Sequence, residues 1–246
     1  MTKRVRLTWE AIYPLIIYWV VVSTVSVFLK DHTRIGAYSE MLCEGVSKLI
    51  CILPMYYFYQ KNPFRKNRMH HKGKDAVVII FIGITLSLGL NNLIELSPLK
   101  AMSPTFQRLG NAVYSDARIW QLLSVGLCAP ILEELTFRGI LFGNLRQAYG
   151  KWIGIIGSAL IFGAFHFNLV QFVYAALLGV VFAYIYDKTG ALWSCILAHA
   201  AANVFSLVAT WYGISSYLSS TVTMCLVSGI VALVASVILL VQWKHV

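Results

Sequence analysis

Residues 119–145 read IWQLLSVGLCAPILEELTFRGILFGNL, and this stretch decides the fold. Its charged side chains are Glu133, Glu134 and Arg138, while the remainder is mostly apolar. A helix needs roughly 20 mainly apolar residues to cross the hydrocarbon core of a bilayer, so the stretch predicts a membrane-crossing helix. An ionisable side chain inside such a helix is costly unless it faces a partner or a cavity. The three charged residues therefore mark a candidate functional site.

The rest of the chain repeats this apolar pattern. Of the 246 residues, 59% are hydrophobic and 12% are charged, and the mean hydropathy is +0.71, outside the usual composition of soluble domains. Eight stretches of spanning length can be marked: 11–29, 37–60, 76–95, 119–145, 152–168, 169–186, 191–212 and 217–242. The predicted fold class is all-α, a polytopic transmembrane helical bundle of about eight spans. Seven spans is the alternative, because the pair over 152–186 is short enough to be tilted or partly re-entrant.

No linker, repeat or low-complexity tract divides the chain, so one integral-membrane domain is expected over 1–246. Within it, 1–118 form the N-terminal helices, 119–212 form a core of spans four to seven, and 213–246 form a C-terminal helix. The segment between the third and fourth spans, 95–118, carries prolines at 98 and 104 among apolar residues. This composition predicts a short interfacial helix.

The basic residues predict how the chain is oriented in the membrane. The formal net charge is +10, but the placement of the cations matters more than their sum. With both termini inside, thirteen basic residues fall on the cytoplasmic side: Lys3, Arg4, Arg6, Lys61, Arg65, Lys66, Arg68, Lys72, Lys74, Arg146, Lys151, Lys188 and Lys244. Five fall on the opposite side: Lys30, Arg34, Lys100, Arg108 and Arg118. This bias follows the positive-inside rule. It indicates that the basic residues contact a lipid bilayer and do not bind a nucleic acid.

Helical geometry separates the two acidic residues of the fourth span. Adjacent helical residues point about 100° apart, so only one of Glu133 and Glu134 can face a cavity squarely. Glu134 precedes Arg138 by four residues, which is the favourable order for an ion pair within a helix. We therefore predict a supporting ion pair between Glu134 and Arg138. Glu133 is then free to face His166 in the next span and to act as a base.

Two histidines and an asparagine complete the set of polar residues in apolar spans. His199 and Asn203 are four residues apart, hence on one face of one helix, and both side chains can donate hydrogen bonds. Counting about 1.5 Å per residue from the start of that span puts them on the order of 12 and 18 Å deep, near the middle of the bilayer. His166 falls closer to the far end of its span, so either that helix is tilted or its start is misplaced.

Two mechanisms use a glutamate and two histidines at this depth. In the first, the carboxylate and a histidine polarise a water that attacks a carbonyl, while His and Asn donors stabilise the oxyanion. In the second, Glu133, His166 and His199 ligate a divalent metal such as zinc, which activates the water. The chain lacks the HExxH spacing of many zinc proteases, yet a site assembled from separate helices stays open as an alternative. A serine nucleophile is disfavoured because no GxSxG is present.

Three segments together resemble one protein family. They are APILEELTFRG at 129–139, FGAFH at 162–166 and LWSCILAHAAAN at 192–203. In this order and with this internal spacing they are similar to the signatures of CPBP intramembrane proteases, the group that contains type II CAAX prenyl endopeptidases and the Abi proteins of bacteriocin processing and self-immunity. The resemblance extends over about 119–210, and the first 118 residues carry no such signature.

The resemblance implies roles for the polar residues. Glu133 and His166 are expected to activate the hydrolytic water, and His199 with Asn203 to stabilise the oxyanion, in a site that opens toward the cytoplasm. Family members are commonly labelled metalloproteases, while a metal-free glutamate-dependent mechanism has been argued for the eukaryotic relatives, so the metal stays open.

The expected substrate is a peptide or a membrane-protein tail, with bacteriocin maturation or self-immunity as the setting. Processing of prenylated CAAX C-termini is the less favoured alternative within the family. A non-catalytic membrane scaffold and a transporter are the rivals from other functional classes. The sequence does not determine an oligomeric state.

Overall fold

A computed structural model describes residues 1–62, 64 and 73–243, and over those residues the regular structure is helical. In chain order the α-helices are α1 (Lys3–His32), α2 (Arg34–Tyr38), α3 (Glu40–Gln60), α4 (Gly73–Glu95), α5 (Pro104–Ser115), α6 (Arg118–Gln121), α7 (Ala129–Glu134), α8 (Gly143–Tyr149), α9 (Lys151–Ala164), α10 (Leu169–Thr189), α11 (Leu192–Trp211), α12 (Ile214–Leu218) and α13 (Val222–Gln242). Six of them, α1, α3, α4, α10, α11 and α13, are long and apolar enough to cross a membrane. The all-α polytopic bundle is therefore confirmed. α5 lies in the segment predicted to form an interfacial helix, and its position at the membrane interface stays a prediction.

The fourth and fifth predicted spans take less regular forms. Residues 118–149 run as one helical stretch in which α6, α7 and α8 alternate with two wider π-helical segments, Leu122–Cys128 and Leu135–Phe142. α9 has 14 residues and extends about 21 Å, which is less than the roughly 30 Å of the hydrocarbon core. The pair over 152–186 is thus a helical hairpin whose first arm is too short to cross the bilayer.

The turn of this hairpin has a defined conformation. Phe167 has a φ of +53°, a left-handed conformation that residues other than glycine rarely adopt. The side chain of Asn168 accepts the backbone N–H of Gln171 at 2.9 Å and so caps the start of α10. The two arms lie very close, because a Cβ at Gly163 would be 2.6 Å from the carbonyl oxygen of Phe172.

The connections between helices gather at two ends of the bundle. At one end Thr8, near the start of α1, contacts the hydroxyl of Tyr149 at 2.8 Å, and the α10–α11 connection at Gly190 lies on the same side. At the other end the indole N–H of Trp211 donates to Gln121 at 2.8 Å. We name these the Gly190 end and the Trp211 end.

The two ends divide the basic residues as the orientation analysis predicts. On the helix bounds, the Gly190 end receives Lys3, Arg4, Arg6, Lys61, Lys74, Arg146, Lys151 and Lys188. The remaining members of that group, Arg65, Lys66, Arg68, Lys72 and Lys244, lie outside the described residues. The Trp211 end receives Lys30, Arg34, Lys100, Arg108 and Arg118. That the Gly190 end faces the cytoplasm stays a prediction from this bias.

Candidate active site

The acidic pair lies where the regular helix gives way to a wider one. α7 ends with Glu133 and Glu134, and the second π-helical segment begins directly after them at Leu135. In a π-helical turn each hydrogen bond spans five residues instead of four, and such turns are frequent at functional sites. The side chain of Glu134 is fully buried, whereas that of Glu133 is 14% exposed. The two neighbours therefore face different surroundings, as their helical spacing predicts.

Glu134 binds two partners through one oxygen. Its Oε1 lies 2.9 Å from Nη1 of Arg138 and 2.7 Å from Nδ1 of His199. The ion pair with Arg138 is the one that the i, i+4 order predicts. Because a carboxylate paired with a guanidinium accepts hydrogen bonds, the contact assigns the proton of His199 to Nδ1. The other ring nitrogen, Nε2, points away from Glu134.

Glu133 approaches that other nitrogen of the same ring. Its Oε2 lies 3.7 Å from Nε2 of His199. Within the described part of the chain no hydrogen bond or ion pair joins Glu133 to His166, so the facing of these two residues stays a prediction. α7, which carries Glu133, packs against α11, whereas α9 packs against the π-helical segment that follows α7.

Two phenylalanines enclose the Arg138 and His199 side chains. The guanidinium carbon of Arg138 lies 4.4 Å from the ring centre of Phe162 and 5.5 Å from that of Phe182. The ring centre of His199 lies 5.2 Å from Phe182 and 5.9 Å from Phe162. Nε and Nη2 of Arg138 have no hydrogen-bond partner among the residues described, so the negative faces of the rings stabilise the cation instead. The rings also exclude water, which strengthens the interactions between the charges.

Gly179 on α10 leaves space for the guanidinium. A Cβ at this position would lie 3.2 Å from Nη2 of Arg138 and 3.1 Å from Ala159. Neither Gly179 nor Phe162 was predicted from the sequence to be part of the site. The signal that could have identified Phe162 is its position four residues before His166, which puts the two on one helical face.

His166 lies in the turn after α9 and folds back onto Phe162. Its Nδ1 is 3.1 Å from the carbonyl oxygen of Phe162, and the two rings meet edge to face with centres 5.1 Å apart. This accounts for the depth of His166, because α9 ends at Ala164 instead of continuing across the bilayer. The ring of Phe162 contacts both His166 and His199, so one aromatic side chain connects the two imidazoles. The side chain of His166 is half-buried.

Asn203 lies one turn beyond His199 on α11. One N–H of its amide donates to the carbonyl oxygen of Val125 at 2.8 Å, in the first π-helical segment. The other N–H stays available, and the residue is half-buried. The structure thus brings Glu133, Glu134, Arg138 and His199 into one cluster. His166 and Asn203 border that cluster from two other directions.

The candidate metal ligands Glu133, His166 and His199 do not form a three-donor set. Over the described residues, no group of three or more His, Cys, Asp or Glu side chains is arranged to hold a metal ion. The hydrogen bonds of His199 and His166 engage Nδ1 and leave Nε2 of each ring available. The arrangement of the side chains as it stands does not fit a three-ligand ion. Metal dependence stays a prediction to be tested.

The family model that matches the chain covers the segment that carries this site. Residues 115–205 match the family model described as type II CAAX prenyl endopeptidase Rce1-like. A Bacillus subtilis (strain 168) protein named "Putative membrane peptidase YdiL" is 32% identical over 97 residues, which are 39% of this chain and 40% of that protein. An Escherichia coli protein named "Uncharacterized 24.3 kDa protein" is 26% identical over 142 residues, which are 54% of this chain and 60% of that protein. The matches therefore span 40% and 60% of the lengths of these relatives. No solved structure matches the chain.

Proposed function

We propose, on the premise that residues 115–205 belong to the Rce1-like family of type II CAAX prenyl endopeptidases, that this chain is an intramembrane endopeptidase. The observation that carries the proposal is that the imidazole of His199 lies between the carboxylates of Glu134 and Glu133. A fully buried carboxylate orients an imidazole at 2.7 Å, and a partly exposed carboxylate lies 3.7 Å from the other ring nitrogen. A structural ion pair needs only Glu134 and Arg138, so the second carboxylate beside His199 is better explained by chemistry.

Glu133 is the general base of the proposed reaction. Its carboxylate takes a proton from a water as the water oxygen attacks the carbonyl carbon of the scissile peptide bond. The carbon–nitrogen bond then breaks, and the leaving amine takes up the proton. His166 is half-buried beside Phe162, and its Nε2 is not used by the Phe162 contact, so it is suited to bind the same water or the departing amine.

His199 and Asn203 stabilise the oxyanion in this mechanism. When both ring nitrogens of His199 carry protons, Nδ1–H is held by Glu134 and Nε2–H is available to a developing negative charge. The free N–H of Asn203, one helical turn along α11, supplies a second donor. Glu134 acts through His199 and is a positioning residue, and Arg138 neutralises Glu134 inside the bilayer.

The proposed substrate is a peptide or a segment of a membrane protein. Bacteriocin maturation or self-immunity is the proposed setting, and CAAX-type processing of prenylated C-termini is the alternative within the same chemistry. The substrate can be identified from its cleavage products, because hydrolysis of a peptide bond creates a new N-terminus.

The test compares membranes that contain wild-type protein with membranes that contain Glu133→Gln. New peptide N-termini found only with the wild type identify the substrate, and we expect Glu133→Gln to lower their rate of formation by about 10²- to 10⁴-fold. Glu10→Gln is the matched control, since Glu10 is a partly exposed glutamate of α1 that pairs with Arg6 outside the site. Equal product formation by wild type and Glu133→Gln contradicts the enzyme proposal and favours a scaffold.

A further inference from the structure

α9 carries an apolar groove on its outer face. The groove has a volume of about 320 Å³ and is lined by Trp152, Ile153, Ile156 and Gly157. The first three of these residues are 64%, 56% and 51% exposed, whereas the other sides of α9 pack against α8 and α10. Gly157 has no side chain, and a Cβ there would meet only Leu145 among the described residues. The groove is therefore open and turned toward the lipid.

Two lysines lie at the Gly190 end of this groove. Lys151 is the first residue of α9, and its Nζ lies 5.5 Å from the ring centre of Trp152, which lines the groove. The same Nζ lies 5.2 Å from the ring centre of Tyr184 on α10, and Nζ of Lys188 lies 6.0 Å from that centre. Two ammonium groups thus share one aromatic ring. We call Lys151 and Lys188 the lysine pair.

The carboxylate beside Lys151 is shared with a second cation. Oδ2 of Asp187 lies 3.0 Å from Nζ of Lys151, and Oδ1 of the same carboxylate accepts a hydrogen bond from Nε of Arg146. The side chain of Lys151 is still 39% exposed. Because one negative charge faces two positive charges, the surface around Lys151 keeps a positive charge.

Lys188 is bound by an uncharged group. Its Nζ donates to the backbone carbonyl oxygen of Trp243 at 2.7 Å, and the residue is exposed. The carboxylate that contacts Trp243 belongs to Asp75, and it accepts the indole N–H at 3.2 Å. An ammonium group has three N–H donors. Each member of the lysine pair uses one of them for a described protein oxygen, so donors remain for an anion.

The order of residues along α9 matches the layers of a bilayer. Tryptophan side chains are enriched at the level of the lipid headgroups. Lys151 and Trp152 begin α9, and Ile156 lies about 6 Å farther along the helix axis. The lysine pair is therefore expected at the depth of the lipid phosphates, and the groove at the depth of the acyl chains. The Gly190 end is the end predicted to face the cytoplasm, where the leaflet carries anionic lipids.

We propose that this surface binds one anionic phospholipid, with its phosphate between the lysine pair and one acyl chain in the groove. Charge-assisted hydrogen bonds from the two ammonium groups hold the phosphate. Trp152 connects the two parts, because its ring contacts Lys151 and also lines the groove. Basic pockets on the cytoplasmic side of membrane proteins bind anionic headgroups in this way. The proposal does not depend on the endopeptidase function, since none of these residues belongs to the catalytic cluster.

Two simpler accounts need no specific site. In the first, the lysine pair only adds to the charge bias that orients the chain, as Lys61 does at the same end. In the second, any lipid covers the groove, whatever its headgroup. The first account predicts that Lys61 matters for lipid binding as much as the lysine pair does. The second predicts equal binding of anionic and zwitterionic lipids.

Native mass spectrometry of the purified protein in detergent distinguishes these accounts. The probes are dioleoyl phosphatidylglycerol, which is anionic, and dioleoyl phosphatidylcholine, which is zwitterionic and has the same acyl chains. We expect one phosphatidylglycerol to bind at least about tenfold more tightly than phosphatidylcholine. Lys151→Gln and Lys188→Gln should each weaken phosphatidylglycerol binding about 5-fold, and the double variant about 30-fold. Lys61→Gln is the matched control on α3, which packs against α1 and the π-helical segments, and it should bind like the wild type.

Two further variants separate the charge from the groove. Lys151→Arg keeps the positive charge and should keep the preference for phosphatidylglycerol, which shows that the loss in Lys151→Gln is not caused by misfolding. Gly157→Leu puts a side chain into the groove and leaves the lysine pair in place. It should weaken phosphatidylglycerol binding at least about tenfold, because one acyl chain loses its apolar contact area. Melting temperatures show that each variant is folded.

Three results would overturn the proposal. Equal binding of the two lipids means that bulk lipid covers the groove. A loss in Lys61→Gln as large as that in the double lysine variant means that only the net charge of this end matters. Unchanged binding in Gly157→Leu, together with displacement of the lipid by inorganic phosphate, means that the lysine pair binds phosphate without the groove.

Discussion

Nδ1 of His199 lies 2.7 Å from Oε1 of Glu134, and this contact joins α11 to the only acidic pair in the matched segment that lies within the bundle. It gives Glu134 a second partner besides Arg138. A carboxylate that holds one imidazole nitrogen fixes which nitrogen faces the substrate. The contact therefore predicts an effect of Glu134 on the reaction as well as on stability.

Replacement of Glu134 by Gln should lower kcat by about 10²-fold with little change in KM, because the orientation of His199 is lost while the substrate contacts remain. The measurement is steady-state cleavage of the substrate identified through its products. An unaltered kcat in a folded Glu134→Gln protein, or a loss confined to KM, would contradict this role.

The buried ion pair should show strong coupling in a double-mutant cycle. Arg138→Met alone leaves the Glu134 carboxylate buried without its cation, and Glu134→Gln alone leaves Arg138 without its anion, so each should cost about 3 to 5 kcal/mol of unfolding free energy. The double variant should cost clearly less than the sum of the two. Thermal or detergent unfolding of purified protein measures all four species, and additive losses would show that the pair is not coupled.

Gly179→Ala should destabilise the bundle by about 1 to 3 kcal/mol, because the new Cβ would lie only 3.1 Å from Ala159 and 3.2 Å from Nη2 of Arg138, and the buried guanidinium is held by Glu134. Gly157→Ala is the control on α9. A Cβ there meets only Leu145, at an ordinary contact distance of 3.4 Å, so helix propensity should make this variant neutral or slightly more stable. The melting temperatures of the two variants measure this difference. Equal shifts in melting temperature would show that the tight contacts of the Gly179→Ala Cβ do not destabilise the protein.

Asp116 predicts a pH dependence of stability at the Trp211 end. Burial raises the pKa of this carboxyl, but the hydrogen bonds from the Ser39 hydroxyl and from the backbone N–H groups of Met41 and Ala117 outweigh it and hold the pKa below its usual range. A carboxyl whose pKa is lower in the folded state stabilises the fold at neutral pH, and that contribution is lost as the pH falls through the folded-state pKa.

Asp116→Asn should therefore lower stability at pH 7 by about 1 kcal/mol, the typical value of a capping interaction. The difference between wild type and variant should vanish once the pH is below the folded-state pKa. Asp31→Asn serves as the comparison, since Asp31 is an exposed aspartate near the same end of the bundle. If the wild type stays more stable than Asp116→Asn in strong acid, the Asp116 carboxylate is not the source of the stability difference.

Metal removal should leave cleavage unchanged. The described side chains offer no three-donor set for a metal ion. Elemental analysis of purified protein, together with activity before and after treatment with a chelator, measures this directly. Activity that is lost on chelation and restored by zinc would overturn the mechanism in which Glu133 alone activates the water.

The site was predictable from sequence wherever the interaction is local. The Glu134–Arg138 pair follows from i, i+4 spacing, and His199 and Asn203 share a face for the same reason. The depth of His166 was not predictable from hydropathy, because the mean hydropathy of an apolar segment is the same whether or not a turn interrupts it. The turn at Phe167 and Asn168, which follows α9, is evident only from the backbone conformation of these two residues.

The sequence by itself determined that this protein is a helical membrane bundle, which residues lie in its apolar spans, and which basic residues gather at each end. These properties depend on composition and on contacts within one helix. Only the tertiary structure decided that Glu133 lies beside His199 and that Phe162 and Phe182 enclose the cluster. The physical reason is that contacts between spans depend on how far each helix extends and how the π-helical segments rotate their side chains, and no spacing along the chain encodes either.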